Sequence, residues 1–397
     1  MSVCRVLLVV ATVCFGLPSP ASSQTAPPST PAIAAALQPF VENHTLAGAV
    51  TLVANKDKVL SVDAVGFMDV AAGKPMRTDC VFWIASMSKP MTATGLMILV
   101  DEGRVSLDNP VEKYLPEFQG QMLAAEKGPD RMLLKKPAHA ITVREVLSHT
   151  SGLPFMSRVE HKIDSYTLSE AAISYALMPL NSQPGTKYDY SNAGINTAGR
   201  IIEVMSGMPY EQFMDKRLFK PLGMTDTTFW PSTEQLARLA KSYCPKGSEQ
   251  ALAETTIGQF TYPLDNRKRG PSPAGGLFST ASDVGVFCQM ILNGGTYQGK
   301  RYLSKAAVQQ MTSTQAGTLA NYGLGWGTSR KLQGPNDPAP VAPCGHGGAY
   351  STNMWIDTTR GLITVYMVQH AGYPGKDGPR IQPAFQQAAE KAFGKFQ

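Results

Sequence analysis

Two runs near the start of the chain have the look of paired strands. Ala49 to Ala54 and Val59 to Val65 are rich in valine. The polar stretch Asn55-Lys56-Asp57-Lys58 between them supplies a turn, so together they predict a hairpin. Ahead of them, Ala32 to Val41 carries its apolar side chains at helical spacing. A strongly apolar segment, Met91 to Val100, predicts a buried helix that ends near Gly103. From there to about residue 260 the pattern is mostly helical, with loops at Leu153-Pro154 and Gln183-Pro184-Gly185. Ile195 to Met205 predicts one of these helices, closed by Gly207. The tail returns to sheet: Ser351 to Asp357 and Leu362 to Gln369 read as strands around a turn at Thr358 to Gly361. A last amphipathic helix places Phe385, Ala388, Ala389, Ala392 and Phe393 on one face.

Strands at both ends with helices between predict an α+β fold. One antiparallel β-sheet is built from the two termini and flanked by helices, with an all-helical domain inserted. The expected division is residues 24–88 for the first part of the α/β domain, 89–264 for the mostly helical domain and 265–397 for the second part.

Residues 1–23 have a different character. Arg5 precedes the apolar run Val6 to Leu17, and Pro18, Pro20 and the small residues Ala21-Ser22-Ser23 follow. That order predicts a signal peptide cut near Ser23 and a secreted or periplasmic protein. Val13 before Cys14 is bulkier than a lipid-attachment site favours. No later run approaches the roughly 18 apolar residues that spanning a bilayer needs, so no stable membrane insertion is expected after cleavage.

Composition narrows the class. With 397 residues, 43% hydrophobic and 17% charged, the chain is globular and long enough for a large core. The net charge of +6 is a mild excess of 36 basic over 30 acidic side chains. Its tightest basic cluster, Arg267-Lys268-Arg269, reads as a solvated loop. Without a basic face and aromatic platforms, no nucleic-acid partner is expected. After signal loss, Cys80, Cys244, Cys288 and Cys344 remain with no CxxC pair, which argues against zinc. One disulfide or four buried thiols both fit that spacing. No HExxH, phosphate loop or GxSxG elbow occurs, so neither metal nor cofactor is expected.

The chemistry-bearing residues begin at Ser86-Met87-Ser88-Lys89. A serine and a lysine three apart at a helix start lie on one face, one turn apart. A neutral amine there can remove the hydroxyl proton, and burial beside the positive helix end favours the neutral amine. Alone, the spacing arises about once by chance in a chain this long. It gains meaning from two partners. In Tyr190-Ser191-Asn192, a phenol can pass a proton onward when nearby cations favour its ionised form, and Asn192 can hydrogen-bond both the lysine and a substrate carbonyl. In His346-Gly347-Gly348-Ala349, the glycines let substrate approach the backbone. The N–H groups of Ser86 and Ala349 can then form an oxyanion hole.

In this order the three motifs resemble those of the serine β-lactamase, DD-peptidase and family VIII carboxylesterase superfamily, the class C branch above all. Ser148 to Pro154, Gly275 to Thr280 and Tyr322 to Gly327 are similar to further stretches of that superfamily, so the resemblance spans roughly residues 35 to 370. It implies an active site between an α/β and a helical domain. Ser86 would be the acylated serine, Lys89 its base, Tyr190 the proton relay and Asn192 a substrate and lysine contact. His346, Gly347 and Gly348 stand at the third, substrate-binding motif. His149 invites a Ser-His-Asp triad, but its Ser-His-Thr-Ser-Gly setting resembles a structural turn. His161 and His370 read as ordinary surface or core residues.

The departures bear on substrate. Class C β-lactamases resemble Lys-Thr-Gly where this chain has His346-Gly347-Gly348. Gly347 removes a hydroxyl, and a histidine with a pKa of about 6.5 is only partly charged at neutral pH. Both weaken recognition of a substrate carboxylate. The expected activity is hydrolysis of short-chain carboxylic esters through an acyl-enzyme. A DD-peptidase, a D-aminopeptidase or a weak β-lactamase shares the chemistry. A catalytically silent penicillin-binding-like protein is the reading from another class.

Overall fold

The computed structural model describes residues 28–247, 251–329 and 341–394. The expected signal peptide lies outside the described residues.

A seven-stranded antiparallel sheet joins the two ends of the chain. Its strands are β1 (Gly48–Ala54), β2 (Val59–Asp69), β3 (Lys74–Pro75), β4 (Gly327–Thr328), β5 (Cys344–Gly347), β6 (Asn353–Asp357) and β7 (Leu362–Met367), in the order β4-β5-β6-β7-β1-β2-β3. The predicted hairpin is β1–β2, running from Gly48 opposite Gly66 to a bulge at Val53/Ala54. β1 also pairs with β7, Val50 opposite Met367. Every residue of β1 is buried because both faces of the sheet are covered. Ala49 and Val53 pack with Ile33, Leu37 and Phe40 of α1 (Pro31–Glu42) and Ile381, Phe385 and Ala389 of the last helix. Val50 and Leu52 point the other way, into the main core with Val284 and Phe287. This is the period of two along a strand. Each such side chain contributes roughly 1.5–3 kcal/mol by leaving water, so a polar residue at Leu52 would open the sheet.

α2 (Ser88–Asp101) runs through the middle of the molecule and is buried from Ser88 to Leu99. It packs against α3 (Asn192–Ser206), which stops at Gly207 with φ +71°. The sheet's inner face carries α4 (Ala281–Leu292), and its outer face carries α1 and α5 (Gly378–Phe393). The middle stretch is not helical throughout. It also holds two hairpins, Leu123–Lys127 with Met132–Lys135 and Ser242–Lys246 with Ala251–Thr255.

One expectation needs correcting. The basic cluster is not simply solvated: Arg269 is buried, donating from Nε to Asp164 at 2.9 Å, while Arg267 lies over the Trp230 ring. A charge buried this deeply persists only when paired. Of the two readings open for the cysteines, free thiols hold: all four are unpaired, with Cys244 half-buried and the other three buried.

Candidate active site

The short strand Phe82–Trp83 pairs with Phe278–Ser279 and delivers the chain to a 3₁₀ turn, Ala85–Met87, that runs straight into α2. Ala85 has φ +46°, a left-handed conformation that costs a non-glycine residue roughly 1–2 kcal/mol. Its neighbours hold it there. Ser88 Oγ donates to Ala85 O at 2.6 Å and accepts from Leu277 N at 3.2 Å, while Ile84 N donates to Leu277 O at 3.0 Å. Ser86, half-buried at the crest of this turn, therefore has a fixed direction.

One helical turn on, Lys89 Nζ lies 3.0 Å from Ser86 Oγ and donates to Ala274 O at 2.7 Å. Lys89 is fully buried, and desolvation lowers its pKa well below the ordinary 10.5. A neutral amine can give one N–H to Ala274 and turn its lone pair to the serine hydroxyl.

Tyr190 comes to the same point from the loop before α3. Ser191 caps that helix, accepting from Gly194 N at 2.9 Å and donating to Pro154 O at 2.6 Å. The phenol lies close enough to Ser86 for the serine hydroxyl to lower its pKa, and Lys89 Nζ stands 4.7 Å from the ring centroid. The expected ionised phenol does not hold. Burial outweighs the lowering by the nearby Ser86 hydroxyl and raises the Tyr190 pKa.

Asn192 opens α3, with its backbone N–H on Phe155 O at 2.9 Å. The expected bond to Lys89 is not made. Lys89 is served by Ala274, and Asn192 Oδ1 is buried with no partner among the described residues.

His346 departs furthest from expectation. Its Nδ1 faces Gly347 O at 2.7 Å and its Nε2 faces the Tyr322 hydroxyl at 3.0 Å. A carbonyl only accepts, so Nδ1 carries the proton and Nε2 accepts from Tyr322. Desolvation, then the neighbouring Lys89, lowers the imidazole to about 3. The partly charged histidine expected at the third motif is thus a half-buried neutral ring with both nitrogens engaged by protein groups.

The two glycines beside it differ. A Cβ at Gly347 would meet nothing nearer than 3.7 Å, whereas one at Gly348 would come 2.1 Å from Thr352 Oγ1 and 2.6 Å from Ile84 O. Gly348 is needed so that β5 can lie against the turn carrying Ser86. Ala349, exposed, follows just beyond.

His149 is buried with φ +60°. Its Nδ1 accepts from Ser191 N at 3.1 Å, its carbonyl accepts from Asp189 N at 2.8 Å, and its ring packs 4.4 Å from that of Tyr190. Desolvation lowers its pKa well below 6.5. A neutral ring whose Nδ1 serves a backbone N–H cannot be the middle of a triad; it braces the Tyr190 loop. His370 likewise is a core residue, accepting Ala47 N at 3.1 Å.

The Beta-lactamase family profile matches residues 33–389. The chain belongs to the β-lactamase family. Among relatives, Protein Rv1367c of Mycobacterium tuberculosis (strain ATCC 25618 / H37Rv) is 33% identical over 85% of this chain and 89% of its own. Esterase EstB of Burkholderia gladioli is 29% identical over 85% of this chain and 90% of its own. Others are named as an amidase and a putative D-alanyl-D-alanine carboxypeptidase. Among solved structures, EstCE1, described as a hydrolase with promiscuous acyltransferase activity, superposes with a TM-score of 0.75. It is 22% identical, over 90% of this chain and 97% of its own. The fold and the membership in a family of serine hydrolases follow.

Within this β-lactamase-family site, several contributors carry no motif. Ala274 holds Lys89 from 185 residues away. Thr92 ties the same loop to α2 by donating to Pro273 O at 2.7 Å. Asn196 accepts from Ala274 N at 3.0 Å. Only Asn196 left a trace, since it stands four residues after Asn192 and so on the same helical face.

Proposed function

We propose that the protein hydrolyses neutral short-chain carboxylic esters through an acyl-enzyme on Ser86. Lys89 takes the Ser86 proton as Oγ bonds to the ester carbonyl carbon. The N–H groups of Ser86 and Ala349 stabilise the oxyanion. When the C–O bond breaks, Tyr190 gives its proton to the departing alkoxide and is reprotonated from the Lys89 ammonium. Water then attacks the acyl group, its proton returns through the same pair, and Ser86 leaves with its hydroxyl restored.

The observation that carries the ester reading is the engagement of both His346 nitrogens. Among the described residues, the basic groups that meet at this site are Lys89, His149 and His346, and burial favours the neutral form of each. A substrate carboxylate would be desolvated there without a cation to pair with, which is costly, whereas a neutral ester meets no such cost. The esterase name of one relative points the same way.

The test is side-by-side kcat/KM on p-nitrophenyl butyrate, nitrocefin and a D-Ala-D-Ala peptide with the purified protein. The neutral ester is expected to lead by tenfold or more. A lead for either carboxylate-bearing substrate would move the reading to a peptidase or β-lactamase. No turnover, with no labelling by a serine-directed probe, would leave the silent scaffold. Export to the periplasm or medium is proposed on residues 1–23 alone, and fractionation of expressing cells tests it.

A further inference from the structure

Behind Lys89 lies a line of polar groups, buried at Asn196 and Tyr175 and half-buried at Glu160, that the proposed reaction does not use. Ala274, whose carbonyl takes the Lys89 N–H, gives its own N–H to Asn196 Oδ1 at 3.0 Å. Asn196 Nδ2 donates to Tyr175 OH at 2.9 Å, and Tyr175 OH donates to Glu160 Oε1 at 2.6 Å. The other Glu160 oxygen accepts from Ser157 N at 2.8 Å. Asn196 is 5% exposed and Tyr175 fully buried.

The direction of every bond in this line is determined. A carboxylate only accepts, so the Tyr175 proton must point to Glu160. The phenol oxygen then faces Asn196 as an acceptor, which sets the amide with its NH2 toward Tyr175 and its oxygen toward Ala274. Flipping the amide would break both of its bonds at once. Chains of this kind reinforce one another in a poorly solvated interior.

The loop that carries Glu160 also touches the other half of the site. Phe155 O caps α3 by accepting from Asn192 N and Ala193 N, and the Phe155 ring stacks on Tyr190 with centroids 6.4 Å apart.

We propose that Glu160, acting through Tyr175 and Asn196, is a positioning residue that fixes the Ala274 carbonyl and thereby aims the Lys89 lone pair at Ser86 Oγ. This rests on the reading of Lys89 as the base. Burial raises the pKa of both Glu160 and Tyr175. The line is thus a costly way to fill a core, and its hydrogen bonds must all be made for the cost to be offset.

The experiment uses the full protein, with p-nitrophenyl butyrate kinetics and thermal melting for Tyr175→Phe, Glu160→Ala, Glu160→Gln and the double variant Glu160→Ala/Tyr175→Phe. Misaiming a catalytic group by a fraction of an ångström is expected to lower kcat roughly 10- to 100-fold, with KM within about threefold. Glu160→Gln keeps an acceptor oxygen and should recover most of the loss seen in Glu160→Ala. The double variant should be no slower than the slower single, since both cuts sever one line. Where Tyr175→Phe fails to fold, Asn196→Asp removes the donor to Tyr175 and should show the same kcat loss. Unchanged kcat in the folded single variants, losses that multiply in the double, or losses that vanish at temperatures where all variants are fully folded would each overturn the proposal. Wild type and Ser86→Ala run alongside. Turnover that needs Ser86 upholds the parent reading whatever the line does; without it, both fall together.

Discussion

Tyr322 donates its phenolic proton to Nε2 of His346 at 3.0 Å. That one bond decides how the third motif can be used. A histidine at the place of a lysine suggests a weakened cation, but a ring that accepts from a buried tyrosine and donates to Gly347 O has nothing left for an anion. Protonating Nε2 would reverse the Tyr322 bond and leave the phenolic proton to find another acceptor, and burial already disfavours the charge. Selectivity would then follow from the environment of the histidine more than from its identity.

Gly347→Thr should fold normally, because its Cβ has only ordinary contacts at 3.7 Å. Combined with His346→Lys it supplies a cation and a hydroxyl, each able to bond a carboxylate; a charge-assisted bond contributes roughly 1.5–3 kcal/mol. The nitrocefin-to-ester ratio of kcat/KM should rise about tenfold or more. An unchanged ratio would show that this motif does not set substrate choice. Gly348→Ala should behave oppositely. Its Cβ collides with Thr352 Oγ1 and Ile84 O, so roughly 1–3 kcal/mol of stability and most activity should be lost, as melting and turnover would reveal.

The pH–rate profile follows from two shifts of opposite sign. Lys89 must be neutral to accept a proton, so activity falls as pH drops through its pKa, which burial has lowered from 10.5. The acid limb of kcat/KM should therefore lie well to the acid side of 10.5. Tyr190 must hold its proton, and its pKa is raised, so the alkaline limb moves above 10. Activity confined to pH above 10 would show an unshifted amine and contradict the neutral, desolvated Lys89. Lys89→Arg, charged at all accessible pH, should be inactive throughout.

Replacing His149 with Ala removes the acceptor of the Ser191 N–H and leaves a gap beside Tyr190. Urea unfolding should show a loss of roughly 2–4 kcal/mol. Turnover of the folded variant at low temperature should stay within about tenfold of wild type, a smaller effect than losing a general base produces. Selective loss of turnover from a fully folded variant would revive the triad.

Ala85→Gly removes the strain at φ +46°. Relief of roughly 1–2 kcal/mol exceeds or matches the extra unfolded-chain entropy of glycine, about 0.4–1 kcal/mol. Melting temperature should hold or rise while kcat falls, because Ser86 loses its fixed direction. An unaltered kcat would mean that the strain has no part in presenting the nucleophile.

Local relations were legible and distant ones were not. The β1–β2 hairpin, β6, β7, α1 and the Gly207 end of α3 stand where periodicity and turn residues put them, since both signals act over a few residues. The Ser86–Lys89 contact is equally local, being one helical turn. By contrast, no pattern says that Asp164 meets Arg269 across 105 residues or that Ala274 meets Lys89 across 185. Those pairings are settled by packing, and with them the charge states of His346 and Tyr190. The hairpin at Leu123–Lys135 could have been found: Gly128-Pro129-Asp130 is a turn signal between two short apolar runs.

The most direct test is intact-protein mass spectrometry during turnover of p-nitrophenyl butyrate, with peptide mapping of any adduct. A transient gain of one butyryl group on Ser86, absent from Ser86→Ala together with all turnover, is the expected result. Turnover that survives in Ser86→Ala, or an acyl group mapped to another residue, would contradict the account.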